Sequence, residues 1–231
     1  MAKSEDKNEK LNLQHRILLF LHKRGLFFLG LLGILAVFII VMAVYNSANA
    51  RKLESQTSMI EKIQDDYANL QTLTDEKAKS EKEQKIMEEL GAIVEKGDRN
   101  YPLERALFIL GTIHYSKKEW DKSTENFMKL ADTFPKSYLT PISLLNAAAA
   151  FEESGNTDKA IENYQRVVDN YKDISPDAAR ALFAIGRLYE EKTDKDAAVK
   201  TYNTLIDTFP SSNWTNLARS RIIYLETIKQ Q

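Results

Sequence analysis

The sequence predicts an all-α protein in which one membrane-spanning helix precedes a solenoid of helical hairpins. Three observations support this fold class. The chain is rich in strong helix formers and has only eight glycines and five prolines, a composition that favours helices over sheets. One long apolar run lies near the N-terminus. Three blocks of the distal half repeat a single pattern of large, small and aromatic residues.

The apolar run extends from Leu26 to Tyr45 and contains no charged residue. In a helix with a rise of ~1.5 Å per residue, such a run spans the ~30 Å hydrocarbon core of a bilayer. Gly30 and Gly33 are compatible with this interpretation, because glycine is more frequent in transmembrane helices than in soluble ones. We therefore predict a transmembrane helix over residues 26–45.

Positive charge is concentrated on the N-terminal side of the run. Lys23 and Arg24 directly precede it, whereas Arg51 and Lys52 are the nearest basic residues beyond it. The positive-inside rule then places a basic leader, residues 1–25, in the cytoplasm and the rest of the chain on the other side of the membrane. We predict a single-pass protein of the cytoplasmic (inner) membrane with a periplasmic or extracytoplasmic repeat domain. Within the leader, Leu11–Leu21 fits either an amphipathic helix on the membrane or a disordered segment.

A cleaved signal peptide is the competing interpretation of the N-terminus. Ala48-Asn49-Ala50 fits a small-x-small cleavage site, with cleavage after Ala50. The apolar run is longer than the ~7–15 residues usual for a signal peptide, which favours an uncleaved anchor. The chain has no cysteine, so a thiol-linked lipid anchor is excluded.

Three blocks, residues 107–135, 144–172 and 182–210, align without gaps. They begin at Leu107, Leu144 and Leu182, so the steps between them are 37 and 38 residues. Each block has one small residue in its first half and another in its second half: Gly111, Ala148 and Gly186, then Ser123, Ala160 and Ala198. Small residues at these places allow two helices of a hairpin to cross closely, and aromatic residues fill the wedge between hairpins.

The rest of the distal chain continues this helical pattern. Residues 46–100 carry apolar residues at helical spacing and are predicted to form a degenerate first hairpin. Residues 101–212 hold the three repeats. Residues 213–231 form a predicted capping helix, since a terminal hairpin needs a cover for its apolar face.

Residues 103–210 resemble the tetratricopeptide repeat family, whose pattern of large, small and aromatic residues each block follows. The motif aromatic-Pro-x-Ser, at Phe134–Ser137 and Phe209–Ser212, is similar to that of bacterial envelope members. In layout the chain resembles the ancillary subunit of the Sec translocon; its repeats also resemble the Tol–Pal cell-division coordinator. The resemblance implies a protein-docking role with translocon components or periplasmic chaperones as partners.

The family's binding face is a groove lined by the first helices of the hairpins. Carried over onto this sequence, the resemblance implies a protein-binding groove of nine residues: Phe108, Thr112, Tyr115, Leu145, Ala149, Glu152, Phe183, Arg187 and Glu190. Its aromatic members suit an apolar or extended peptide segment; the alternative is that they pack against a neighbouring hairpin. A different function also stays open, an envelope or cell-division scaffold that self-associates, with residues 51–73 in a coiled coil.

The sequence offers no motif for catalysis. Its three histidines, His15, His22 and His114, have no metal-ligand spacing, and no phosphate-binding loop or nucleophile elbow occurs. A net charge of −1 argues against nucleic acid as a partner. We therefore expect a protein without enzymatic activity, cofactor or metal. The oligomeric state is left undetermined.

Overall fold

The computed structural model of the protein describes residues 15, 18–20, 22–70 and 72–228. Within those residues nine helices have defined bounds and no strand occurs, which confirms the all-α prediction. In chain order they are α1 Gly25–Leu70, α2 Glu76–Lys96, α3 Tyr101–Ser116, α4 Trp120–Thr133, α5 Leu139–Glu153, α6 Thr157–Tyr171, α7 Asp177–Glu191, α8 Lys195–Thr208 and α9 Asn213–Ile228. Most of the predicted leader, including much of Leu11–Leu21, and the last three residues of the predicted capping helix lie outside the described residues.

Contacts divide the chain into two units, Met1–Gln56 and Thr57–Gln231. The first unit holds the apolar part of α1, which is long and apolar enough to cross a membrane and has no buried residue over its most apolar stretch. The helix does not stop at Tyr45 but continues to Leu70. Residues 46–70 contain neither glycine nor proline, so nothing in them interrupts a helix. A signal sequence near the N-terminus also meets this criterion of length and composition.

In the second unit, the end of α1 packs against α2. Their apolar faces share one buried cluster with α3, built from Ile60, Ile63, Leu70, Ile86, Leu90, Ile93, Ala106, Ile109, Leu110 and Ile113. An ion pair of 2.9 Å between Lys82 and Asp66 joins the two helices at the surface. The Asp75 carboxylate caps α2 by accepting from the N–H groups of Lys77 and Ala78. Of the apolar residues in segment 51–73, Ile60, Ile63 and Leu70 are buried in this cluster, whereas Leu53 and Met59 are exposed.

The small residues in the first helices lie where a second helix crosses. A Cβ atom added to Gly111 would come within 2.8 Å of the Phe127 ring, and one added to Gly186 would collide with the Tyr202 ring. The buried hydroxyl of Ser123 donates to the carbonyl of Gly111 at 2.9 Å. The close crossing predicted from glycine and its small partner on the second helix is therefore present.

The aromatic-Pro-x-Ser motif closes the junction between successive hairpins. After α4, Thr140 Oγ1 donates to the carbonyl of Phe134 at 2.6 Å, and Ser137 Oγ accepts from the N–H of Leu139 at 3.0 Å. These bonds satisfy one carbonyl at the end of a helix and one N–H at the start of the next. The second motif repeats both bonds, from Thr215 to Phe209 at 2.5 Å and from the Trp214 N–H to Ser212 at 3.3 Å.

The last helix, α9, covers α8 and presents a different surface outward. Ala218 and Leu225 are buried against the preceding hairpin. When the two junction motifs are aligned, Ile223 stands where Gly111 and Gly186 stand in the repeats. Ile223 is 65% exposed, and charged residues lie on either side of it at Arg219 and Glu226. This helix has the character of a terminal cap.

Candidate protein-binding groove

The first helices of the hairpins form the inner face of the repeat array. Within the described residues, the backbones of α3 and α5, of α5 and α7, and of α7 and α9 approach one another, whereas those of α4, α6 and α8 approach first helices only. The second helices α4 and α6 meet through side chains, since Arg166 pairs with Asp132 at 2.7 Å. An array whose first helices lie closer together than its second helices is curved toward the first helices, and we call the face that they line the inner groove.

The predicted groove residues of α3 are all half-buried. The Phe108 ring packs edge to face on Phe127 with centroids 5.8 Å apart, and the Tyr115 ring packs on Trp120 at 5.2 Å. The Thr112 hydroxyl donates to the carbonyl of Phe108 at 2.9 Å. Each ring therefore rests on a partner in its own hairpin and keeps only part of its surface open to the groove.

On α5 the three predicted residues have different surroundings. Leu145 is only 2% exposed and belongs to the main hydrophobic cluster, so the structure places it in the core beneath the groove. Ala149 is half-buried. The Glu152 side chain is 17% exposed and is held by two partners, described below.

On α7, Phe183 lies between two other rings. Its centroid is 5.6 Å from that of Tyr202 and 5.2 Å from that of Trp214. The contact with Trp214 reaches α9, and such packing is the alternative that the sequence left open. Arg187 and Glu190 both make ion pairs across to neighbouring first helices.

A ladder of tyrosine, glutamate and arginine runs across these first helices. In its first rung, the Tyr164 hydroxyl donates to Glu152 Oε1 at 2.6 Å, and Arg187 pairs with the other carboxylate oxygen. The second rung repeats the arrangement with Tyr202, Glu190 and Arg221; the Tyr202 hydroxyl lies 2.5 Å from Glu190 Oε1. Each rung connects the second helix of a hairpin, its own first helix and the first helix that follows. The ladder thus fixes three of the predicted groove residues in place.

The pKa shifts reflect this pairing. Burial raises the pKa of Tyr164 and of Tyr202 well above the ordinary value, and the hydrogen bond to a carboxylate raises each further. Burial also acts to raise the pKa of Glu190, but hydrogen bonds from Arg221 and Tyr202 outweigh it and lower the pKa. The hydrogen bond to Glu190 raises the pKa of Arg221. At neutral pH Glu190 is therefore ionised, and Tyr164 and Tyr202 are neutral.

Sequence reasoning did not identify Tyr164, Tyr202 or Arg221 as groove residues. A signal was present in the internal alignment: a tyrosine follows a glutamate by twelve residues in the second and third blocks. The first block has Phe127 in place of the tyrosine and Tyr115 in place of the glutamate. A block therefore has either both members of the tyrosine–glutamate pair or neither. That covariation between blocks could have revealed the pair.

The described residues include no group of three or more His, Cys, Asp or Glu able to hold a metal ion. His114 is buried, and its Nδ1 is 2.8 Å from Glu119 Oε2. The chemistry available in the groove is that of hydrogen bonding, ion pairing and ring contact.

Comparison with known proteins identifies the repeats. Residues 105–137 match one tetratricopeptide repeat family model and residues 145–213 match another. A TPR repeat-containing protein of Treponema pallidum (strain Nichols) is 34% identical over 111 residues, which cover 48% of this chain and 46% of that protein. The present chain thus spans less than half the length of that relative.

Two solved structures share the architecture. A tetratricopeptide repeat protein from Parabacteroides merdae superposes with a TM-score of 0.55 at 20% identity, over 75% of this chain and 61% of that one. A Podosopora anserina protein with nearly identical TPR-like repeats gives a TM-score of 0.53 at 12% identity, over 78% of this chain and 88% of that one. At such identities the likeness is one of fold.

Proposed function

We propose that the chain is a protein–protein interaction module whose inner groove binds an extended segment of another protein, while α1 anchors the chain in a membrane. The match of residues 105–137 and 145–213 to tetratricopeptide repeat models supports this proposal. The proposal assigns no catalytic step to the chain.

The observation that carries the proposal is the ladder on the inner face. Glu152, Arg187 and Glu190 are held by neighbouring helices before any partner arrives, so binding costs little side-chain entropy at these positions. The Arg187 side chain is still 41% exposed and has donors for the carbonyl groups of an extended segment. The half-buried rings of Phe108 and Tyr115 supply apolar surface beside it.

A second part of the proposal concerns where in the cell the chain acts. An anchor preceded by basic residues supports a cytoplasmic leader and an extracytoplasmic repeat domain. A binding module tethered there would meet segments of proteins that emerge from a translocon. We propose that the chain assists protein translocation or periplasmic chaperoning, with translocon components or periplasmic chaperones as partners.

Site-specific photocrosslinking of the full-length chain in native membranes tests the proposal. Benzoylphenylalanine in place of Tyr115 keeps a ring in the groove and should yield protein adducts. The same residue in place of Gln165, which is exposed on the second helix α6, serves as the matched control and should yield few. Equal yields at the two positions, or none at Tyr115, would argue against a binding groove. Mass spectrometry of the adducts identifies the partner.

Self-association is the second candidate function, and exposed apolar side chains of α9 favour it. Leu217, Ile223 and Tyr224 are all exposed on that helix. Sedimentation of the detergent-solubilised chain decides between the two, because a concentration-independent monomer excludes a scaffold that assembles through this face.

A further inference from the structure

We propose that the inner groove changes its width at one place, where the turn ends of the first hairpin (α3–α4) and the second hairpin (α5–α6) separate, while the ladder keeps the rest of the groove at a fixed width. The turn ends are the loops inside each hairpin, residues 117–119, 154–156 and 192–194. The consequence for binding rests on the proposed function, since a wider gap between α3 and α5 admits a bulkier side chain of the bound segment.

Lysines brace the turn ends on either side of this gap. Lys192 of the third hairpin (α7–α8) pairs with Asp158 of the second hairpin at 2.7 Å. Lys117 of the first hairpin pairs with Glu83 of α2 at 2.6 Å. Each lysine therefore ties its hairpin to the preceding helices at the turn end.

The equivalent pair is missing between the first and second hairpins. When the blocks are aligned, Ser154 stands where Lys117 and Lys192 stand, and its hydroxyl bonds within its own helix. Asp121, the counterpart of Asp158, pairs with no cation in the described part of the chain. The space between the turn ends is also larger here, with a cavity of about 640 Å³ against about 470 Å³ between the second and third hairpins.

The ladder on the inner face also begins only after this gap. Its first rung ties α5 to α7 through Glu152 and Arg187. Between α3 and α5 the corresponding residues are Tyr115 and Ala149, which cannot form an ion pair. The inner sides of α3 and α5 therefore meet near their turn ends without the bonds that hold α5 to α7.

Two bonds on the outer side hold the first and second hairpins together and supply a pivot. Arg166 of α6 pairs with Asp132 of α4 at 2.7 Å. The Tyr171 hydroxyl donates to the carbonyl of Pro135 at 2.8 Å. The chain itself joins α4 to α5 at the same junction, so the turn ends are the part of this gap that is free to open.

The second and third hairpins are held in the opposite way. Thr204 and Phe209 stand in the places of Arg166 and Tyr171, so neither outer bond recurs, whereas the inner and turn-end pairs are present. Apolar packing holds both pairs of hairpins together, and the polar bonds decide which edge separates first. Opening the turn ends of the first two hairpins breaks no ion pair, which makes it the least costly local opening of the groove.

Spin-label distances in the full-length, detergent-solubilised chain test the proposal. Ser116, Glu153 and Glu191 are the last residues of α3, α5 and α7, and all three are exposed. The natural chain has no cysteine, so labels attach only where cysteine is introduced. Pulsed electron paramagnetic resonance should give a broader distance distribution for Ser116→Cys with Glu153→Cys than for Glu153→Cys with Glu191→Cys. Equal widths, or a broader second distribution, overturn the proposal.

A gain of the missing brace gives the second test. Ser154→Lys places a lysine opposite Asp121 and should narrow the distribution between positions 116 and 153. Ser154→Gln has a similar length without the charge and is the matched control, with no expected narrowing. If the two variants behave alike, an absent ion pair is not what leaves the gap free.

Loss of an existing bond gives the third test. Arg187→Gln should broaden the distribution between positions 153 and 191, because it breaks the first rung of the ladder. Arg166→Gln is the matched control, since it removes an ion pair on the outer side of the other gap and should leave this distribution unchanged. An unchanged width in Arg187→Gln contradicts a groove fixed by the ladder. Circular dichroism checks that both variants fold.

The distances are measured without a partner, so they separate this inference from the proposed function. Failure of the distance tests leaves the groove proposal intact if Tyr115 still captures protein. Absence of adducts at Tyr115 together with a broad distribution between positions 116 and 153 rejects the proposed function and retains the movable gap.

Discussion

The hydroxyl of Tyr164 donates a 2.6 Å hydrogen bond to Glu152, whose other carboxylate oxygen pairs with Arg187 of the next hairpin. One carboxylate thus joins a second helix to two successive first helices. The following rung uses the same three residue types, whereas the first hairpin has Phe127 and Tyr115 in place of the tyrosine and the glutamate. The bond therefore contributes to stability and to the shape of the groove together.

We expect Tyr164→Phe to lower the free energy of unfolding by about 1.5 kcal/mol, because a hydrogen bond to an ionised group is lost while the ring stays. Urea unfolding followed by circular dichroism measures the change. Tyr189→Phe is the matched control, since its hydroxyl makes no hydrogen bond within the described residues, and it should cost less than about 0.5 kcal/mol. Equal losses in the two variants would mean that the bond to Glu152 contributes nothing.

Two glycine substitutions are expected to act in opposite directions. Gly186→Ala forces a methyl group against the Tyr202 ring and should destabilise the chain by about 1–3 kcal/mol. Gly91→Ala lies in helix α2 with no atom near the added methyl, and should stabilise it by about 0.5–1 kcal/mol because alanine is the better helix former. Thermal unfolding of both variants tests the close crossing. A tolerated Gly186→Ala would contradict it.

The second rung of the ladder should weaken in acid. The pKa of Glu190 lies below its ordinary 4.5 in the folded protein, so the ionised form stabilises the fold. That stabilisation is complete above the ordinary pKa and is lost as the pH falls through the folded pKa. We expect the difference in unfolding free energy between the natural chain and Glu190→Gln to be constant from pH 7 to about 5 and to shrink below 4.5. A difference independent of pH would show that the charge of Glu190 is not involved.

Single cysteines can report the orientation of the chain, because the natural sequence contains none. In intact right-side-out membrane vesicles, a membrane-impermeant maleimide should label Lys172→Cys at once and Ser4→Cys only after detergent is added. The reverse order would contradict a cytoplasmic leader. Permanent absence of label on Ser4→Cys would show instead that the leader had been removed by cleavage.

The hairpins could be predicted from sequence because their packing repeats. Leu107, Leu144 and Leu182 set the register, and the small residue that follows each of them by four positions marks where helices cross. The size of the side chain decides which residue fits at such a position, and side-chain size can be read directly from one sequence. The structure confirms this part of the prediction at Gly111 and Gly186.

The polar side of the groove could not be predicted in the same way. Arg221 reaches Glu190 from another helix, and the pairing depends on the relative placement of the two helices, which no local pattern specifies. Leu145 is a different case. The family resemblance places it in the binding groove, whereas in this chain its side chain is buried in the core. The extension of α1 beyond Tyr45 went unpredicted because the change from apolar to polar residues at that point was read as a boundary between elements.

The outer surface of α9 limits how another molecule can pack against this helix. A bulky isoleucine, Ile223, takes the place where glycine admits a ring in the first and third hairpins, and it is flanked by an arginine and a glutamate. A helix that approached α9 as the second helix of a repeat approaches the first would meet this side chain. Any association of two copies through α9 must therefore use a contact different from the close crossing that builds the repeats.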